Sequence, residues 1–278
     1  NEFQKSPISI IDVDKVIIDE NNAYKIGLNA GATAVIYGII TKVQKNIKLD
    51  LRFLVIRKPQ FYQPIDTKKR ILPIEELDSG QLESYVGQDY TIAIDFLFGL
   101  FEYSSNNFVG SIQKFLKALN GISNQNNYGY SVKVDIISLY LGNAYYLSGD
   151  NQSAINAYNY ALKQSEQLPK IIHNLGIIEF QSSNLDKSIE LFSRAISLDA
   201  NLMVAYRNRG FALIQKEKYE EALSDLLTYI NQKPFDSDAL ELIGLCYSHL
   251  NSPRDAIKNL MQSYRISKNR FLFFDIAN

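Results

Sequence analysis

A 34-residue period constrains this chain more than any other feature. Gly142, Gly176, Gly210 and Gly244 are each separated by 34 residues. Side-chain size repeats with them. Twelve residues on stand Ala154, Ser188, Ala222 and Ala256, all small. Thirteen on come Ile155, Ile189, Leu223 and Ile257, and sixteen on come Tyr158, Phe192, Leu226 and Leu260, all large and apolar. At nineteen the pattern loosens, with Ala161, Ala195, Tyr229 and Ser263. A fifth copy lies upstream, where Gly99 is followed at the same offsets by Ser111, Ile112, Phe115 and Ala118. It precedes Gly142 by 43 residues, and the surplus falls in the polar stretch from Asn124 to Tyr130. Clustered Asn and Gly favour turns, so this stretch reads as a lengthened loop. A fixed period of this size is the mark of stacked structural repeats.

Each unit reads as two antiparallel helices, the first through a segment such as Ile136 to Leu147 and the second through one such as Gln152 to Gln164. Breaks such as Ser148-Gly149-Asp150 and Gln181-Ser182-Ser183-Asn184 separate them. The small residues let the two backbones approach closely, and the large residues at the sixteen-residue offset fill the space between neighbouring units. One such pair cannot bury its apolar face alone, so the units must stack.

The stretch Leu141-Gly142-Asn143-Ala144-Tyr145-Tyr146, with Gly149-Asp150 and Ala154-Ile155 behind it, resembles the tetratricopeptide repeat family. So does Lys218-Tyr219-Glu220-Glu221-Ala222-Leu223, and Pro234 stands where that family favours proline after the second helix. Arg209 departs from a leucine-like preference, and Tyr229 and Ser263 replace a usual alanine. The resemblance covers about residues 91–270. It implies a mainly α fold, a solenoid of five helix-turn-helix repeats forming a right-handed superhelical arc, with the first helices lining an inner groove. Carrying the register across puts Phe96, Leu100 and Tyr103 of the first copy in that groove. It adds Leu139, Asn143 and Tyr146, then His173, Ile177 and Phe180, then Arg207, Phe211 and Ile214, and last Glu241 and Leu245. The expected partner-binding set runs from Tyr103 to Ile214. Some family members grip a peptide's terminal carboxylates with Lys, Asn and Arg. Asn143 and Asn174 match two of those places, but Leu139, Val204 and Asn208 stand at the cationic ones, so that clamp is incomplete. An aromatic and aliphatic groove suits an amphipathic helix or an apolar extended segment.

Residues 1–90 read differently. Apolar runs occur at Ile8 to Ile11, Ala34 to Ile40 and Ile47 to Ile56. In the last, Ile47, Leu49, Leu51, Phe53 and Val55 alternate with Lys48, Asp50 and Arg52, the pattern of a half-buried strand. Lys42 to Asn46 fits a hairpin turn. Asn21 to Ala30 reads as a short helix stopped by Gly31. The order β-α-β-β predicts a small α+β domain ahead of the solenoid, placing one domain at 1–90 and the other at 91–278. The string Ala23 to Ile56, centred on Gly31 to Gly38, is similar to the amino-terminal α/β domain of TolB-type proteins. Residues 57–90, with Pro59, Pro64 and Pro73, read as a connector with an amphipathic stretch around Glu75 to Tyr85.

Composition narrows the chemistry. Lys and Arg number 29 against 30 Asp and Glu, so no basic excess supports nucleic-acid binding. The only basic concentration, Arg57, Lys58, Lys68, Lys69 and Arg70, reads as a solvated connector. No run of 18 apolar residues predicts a membrane span. With Cys246 the sole cysteine and His173 and His249 the only histidines, neither a metal site nor a catalytic centre is expected, and no cofactor. Cys246, two residues after Gly244, reads as a buried, inert thiol, and both histidines as groove contacts. Gly27, Gly31 and Gly38 lack phosphate-loop spacing. The expected function is non-enzymatic: a module that binds a protein segment in its groove. The other reading is a sensory or regulatory region of a larger multidomain signalling protein, which the absence of an initiating Met suits. Compartment stays open, with the cytoplasm favoured. Four large apolar residues in a row, Phe271, Leu272, Phe273 and Phe274, predict a carboxyl-terminal cap on the last repeat or a contact with a second copy.

Overall fold

The computed structural model describes residues 34–43, 46–55, 79–85, 91–123 and 134–276, with Lys25 in isolation; side chains are described for residues 92, 94–122 and 134–268, and for Lys25. Contacts divide the chain into two compact units, one of residues 1–63 and 77–149 and one of 64–76 and 150–278. The division falls inside the second sequence repeat.

The first unit contains strands β1 (Ala34–Val43), β2 (Asn46–Val55) and β3 (Ser79–Tyr85), joined in the order β1-β2-β3. β1 and β2 pair antiparallel, Ile36 opposite Phe53 and Val43 opposite Asn46, which is the hairpin read at Lys42 to Asn46. β3 pairs antiparallel with β2, Leu51 opposite Leu82. A strand here corrects the connector reading of 57–90. Ser79-Gly80-Gln81-Leu82 has no alternating apolar pattern, and the ladder to β2 supplies what local propensity does not. The expected strand at Ile8 to Ile11, the helix at Asn21 to Ala30 and the basic cluster from Arg57 to Arg70 lie outside the described residues.

Three of the described helices belong to this unit: α1 (Thr91–Ser104), α2 (Phe108–Ser123) and α3 (Val134–Leu147). Their core is aromatic. Phe96, Phe115 and Tyr140 meet with ring centroids 5.8–6.1 Å apart, and Tyr103 meets Tyr140 edge-on at 5.5 Å. Such tilted pairs are favoured by the ring quadrupoles.

The second unit contains α4 (Asn151–Gln164), α5 (Pro169–Gln181), α6 (Leu185–Leu198), α7 (Met203–Gln215), α8 (Tyr219–Gln232), α9 (Ser237–His249) and α10 (Pro253–Ile276). The ten helices described are those the five-copy register requires, and none of the described residues between 134 and 276 is a strand. Caps follow local sequence. The Asp150 carboxylate accepts from the Ser153 amide, the Asp236 carboxylate from the Ala239 amide, and Pro169 opens α5 at the position where a missing N–H costs nothing.

The turn between the two helices of each repeat uses a left-handed residue. Asn106, Gly149, Ser183, Glu217 and Asn251 all have positive φ, and the last four are again 34 apart. The amides of Asn107, Asn184, Lys218 and Ser252 then bond back to the carbonyls of Glu102, Glu179, Leu213 and Tyr247, closing four helices in the same way.

The repeated glycine is a packing site. A Cβ built on Gly176 would lie 2.7 Å from Phe192 Cε1, and one on Gly210 would lie 2.9 Å from Leu226 Cγ. The large residue at the sixteen-residue offset therefore covers the glycine of its own repeat. Leu226 also reaches the next repeat, clustering with Leu242, Ile243 and Cys246. Gly176→Ala should lower stability by about 1–3 kcal/mol through overpacking against the fully buried Phe192, although alanine is the better helix former by about 1 kcal/mol. Urea unfolding measures it. A stabilised variant would show that propensity, not the close approach, dominates there.

Candidate functional site

The first helices of the second unit, α5, α7 and α9, carry the predicted groove positions. Phe180 and Phe211 come together there: their rings are 5.3 Å apart at 37°, and both remain partly exposed. Arg207, also partly exposed, lies with its Nε 3.4 Å from Asp236 and its Nη2 3.6 Å from Asp238 at the start of α9. Tyr229 donates its hydroxyl to Asp236 at 2.7 Å, and burial with that bond raises its pKa. Leu245, which occupies in α9 the position of Phe211 in α7, is 40% exposed, and Glu241 is exposed.

The other predicted positions are buried. Tyr103, Leu139, Asn143 and Tyr146 in the first unit have exposures of 8% or less, as do His173, Ile177 and Ile214 in the second. Their side chains are buried within the stack of helices. The physical reason is the side-by-side packing of successive first helices, which closes over the positions that a single repeat would leave open.

His173 shows this best. It was read as a groove contact, and the structure corrects that: it is fully buried, 5.3 Å from the Phe192 ring. Its Nδ1 lies 3.0 Å from Asn174 Oδ1, and the Asn208 amide lies 2.9 Å from its Nε2. With Nδ1 donating and Nε2 accepting, the ring is neutral. Desolvation lowers its pKa to about 4. Asn174, at a place that matches the carboxylate clamp, and Asn208, at one of its cationic places, thus both bond to a side chain inside the stack.

Cys246 is buried, and desolvation raises its thiol pKa to about 11, which keeps it protonated. His249 is exposed and stacks flat on Tyr219 at 4.1 Å. Among the described residues no group of three or more His, Cys, Asp or Glu could hold a metal ion, and no helix is long and apolar enough to cross a membrane. The side chains of Phe271 to Phe274 lie outside those described, although the backbone of α10 is helical to Ile276.

Sequence reasoning missed one feature of this region. Asp236 serves at once as the cap of α9, the acceptor for Tyr229 and a partner of Arg207. The tyrosine in an alanine slot at 229 was the available signal.

Comparison with known proteins agrees with the architecture. The profile of the tetratricopeptide repeat family matches residues 139–202. Dynein axonemal assembly factor 4 of Pongo pygmaeus is 35% identical over 92 residues, 30% of this chain and 22% of that protein; the protein of the same name from Rattus norvegicus is 34% identical over the same length. The chain thus spans about a fifth of the length of these relatives. Among solved structures, MamA has a TM-score of 0.53 at 21% identity, covering 66% of this chain and 96% of its own. YrrB, described as a tetratricopeptide repeat protein with an unusual peptide-binding site, has a TM-score of 0.51 at 20% identity, covering 68% and 98%. Period, paired helices and glycine packing agree with these matches: residues 139–202 match the tetratricopeptide repeat family, and the helical repeats share the fold of tetratricopeptide repeat proteins.

Proposed function

We propose that the chain is a non-enzymatic protein-binding module whose contact surface is the shared face of α5, α7 and α9. The carrying observation is the Phe180–Phe211 pair, two aromatic rings left partly exposed on adjacent first helices with Arg207 on the same helix as Phe211. Large flat side chains beside an arginine are the composition of binding hot spots. The partner fitting this face is an amphipathic helix or an apolar extended segment. The peptide-binding site named for YrrB supports the same reading by analogy of fold. In this reading residues 1–90 form a separate α+β domain and residues 91–278 the solenoid; the pairing of β1, β2 and β3 supports the strand half of that division.

Selecting a displayed peptide library on the full chain tests the proposal. Enriched peptides should be rich in Leu, Phe and Trp. Phe180→Asp and Phe211→Asp should each weaken them by about tenfold or more, the equivalent of 1.4 kcal/mol or above. Helical circular dichroism should stay the same. Loss of helical signal would make both rings core residues, and unchanged binding would put the site on another surface.

A further inference from the structure

The last helix presents a face that every earlier repeat covers. In α6 and α8 the residues thirteen, sixteen and twenty after the repeat glycine are apolar: Ile189, Phe192 and Ile196, then Leu223, Leu226 and Ile230. Phe192 and Leu226 are fully buried, and the others pack into the clusters with the next repeat. On α8 the cover is α9, which lays Leu242, Ile243 and Cys246 against Leu223, Leu226 and Ile230.

The same offsets in α10 are Ile257, Leu260 and Tyr264, and here they are 59%, 42% and 64% exposed. Met261 beside them is 51% exposed. These four side chains and Arg265 line a shallow cleft of about 410 Å³. The face keeps the residue pattern of a repeat–repeat interface and meets solvent.

Charge narrows what fits it. Among the described side chains of this helix, exposed Arg254, Lys258, Arg265 and Lys268 flank the apolar residues, against one exposed carboxylate, Asp255. A second copy docking α10 on α10 would bring the same four cations together, which repel. The helix that plays the covering role on α8 has the opposite character: α9 and its cap carry Asp236, Asp238 and Glu241.

We infer that the Ile257–Leu260–Tyr264 face of α10 is a second docking site, separate from the first-helix face, for an amphipathic helix of a partner protein with apolar residues at i, i+1 and i+4 and acidic flanks.

The probe is a peptide of residues 236–249, the chain's own covering helix, locked in helical form by a side-chain lactam and titrated into the full chain by fluorescence anisotropy. Ile257→Asp and Tyr264→Asp should each weaken it by about tenfold. A peptide with lysine at positions 236, 238 and 241 should bind about tenfold more weakly to the unaltered chain, and added salt should weaken the acidic peptide alone. That arm needs no folded variant. Equal affinity of both peptides, or of the unaltered chain and both Asp variants, overturns the site. A dimer in sedimentation that Tyr264→Asp dissolves would make the occupant a second copy, and flotation with phosphatidylserine vesicles lost in Ile257→Asp would make it a membrane; either overturns the proposal.

Discussion

Asp225→Ala should destabilise the protein by about 3 kcal/mol, whereas the double change Arg209→Leu with Asp225→Leu should leave it near its original stability. Arg209 on α7 holds Asp225 on α8 through two bonds of 2.7 Å, and its third nitrogen donates to Ser193 on α6 at 3.0 Å. The carboxylate side chain is 8% exposed and the guanidinium 23%. Breaking a buried pair costs about 3–5 kcal/mol, because the survivor keeps its desolvation penalty without its counter-charge; the partial exposure of Arg209 sets the lower end. Replacing both members by apolar residues removes charge and penalty together. The third repeat already contains that solution, with Leu175 and Leu191 at the equivalent positions. A double-mutant cycle in urea would measure the coupling. A loss below about 1 kcal/mol for Asp225→Ala would reduce the pair to an ordinary surface ion pair.

Acid should cost this protein a similar amount through one residue. Burial lowers the pKa of His173 in the folded chain to about 4, against an ordinary value of 6.5. Below pH 6.5 the unfolded chain takes up a proton at this site and the folded chain does not. The neutral histidine's contribution is therefore complete above pH 6.5 and is lost progressively as pH falls to about 4, a total loss of about 3 kcal/mol. His173→Gln, which cannot take up a proton, should be less stable than the original at pH 7, since the Asn174 and Asn208 bonds are disturbed. Its stability should fall less between pH 7 and pH 4.5. Urea midpoints at the two pH values give the comparison. Parallel pH dependence in the two proteins would show that His173 does not titrate differently on folding.

The repeat departures show how far the sequence could be read. Arg209, Tyr229 and Ser263 break the tetratricopeptide pattern one by one, and each has a partner outside its own helix. Arg209 has Asp225, Tyr229 has Asp236, and the Ser263 hydroxyl donates to the Ser237 carbonyl at 2.8 Å. A pattern of size classes registers such residues as exceptions; it carries no information about which distant oxygen satisfies them. The same limit applies to the groove. Register alone assigns a direction to each first-helix side chain, and it assigned Phe180 and Phe211 to a face where the structure leaves them partly exposed. It could not anticipate that the adjacent first helix buries His173, Ile177 and Ile214, because that burial depends on the spacing between repeats.

By itself, then, the sequence determined the paired helical repeats of the described residues between 91 and 270. A period of 34 with glycine facing a large apolar residue sixteen positions later has one compact solution, paired helices whose apolar faces are closed by stacking. It also determined the β1–β2 hairpin, through alternation with period two. Only the tertiary structure decided the rest. The left-handed turn residue is glycine once, Asn twice, and Ser183 and Glu217 in the other two repeats, so helix packing imposes that conformation on a serine and a glutamate that do not favour it. Strand β3 exists because β2 offers it an edge. The ten positions of the expected binding set, from Tyr103 to Ile214, sort into three left partly exposed and seven buried according to the approach of the neighbouring helix, a distance that residue identities along one repeat do not encode.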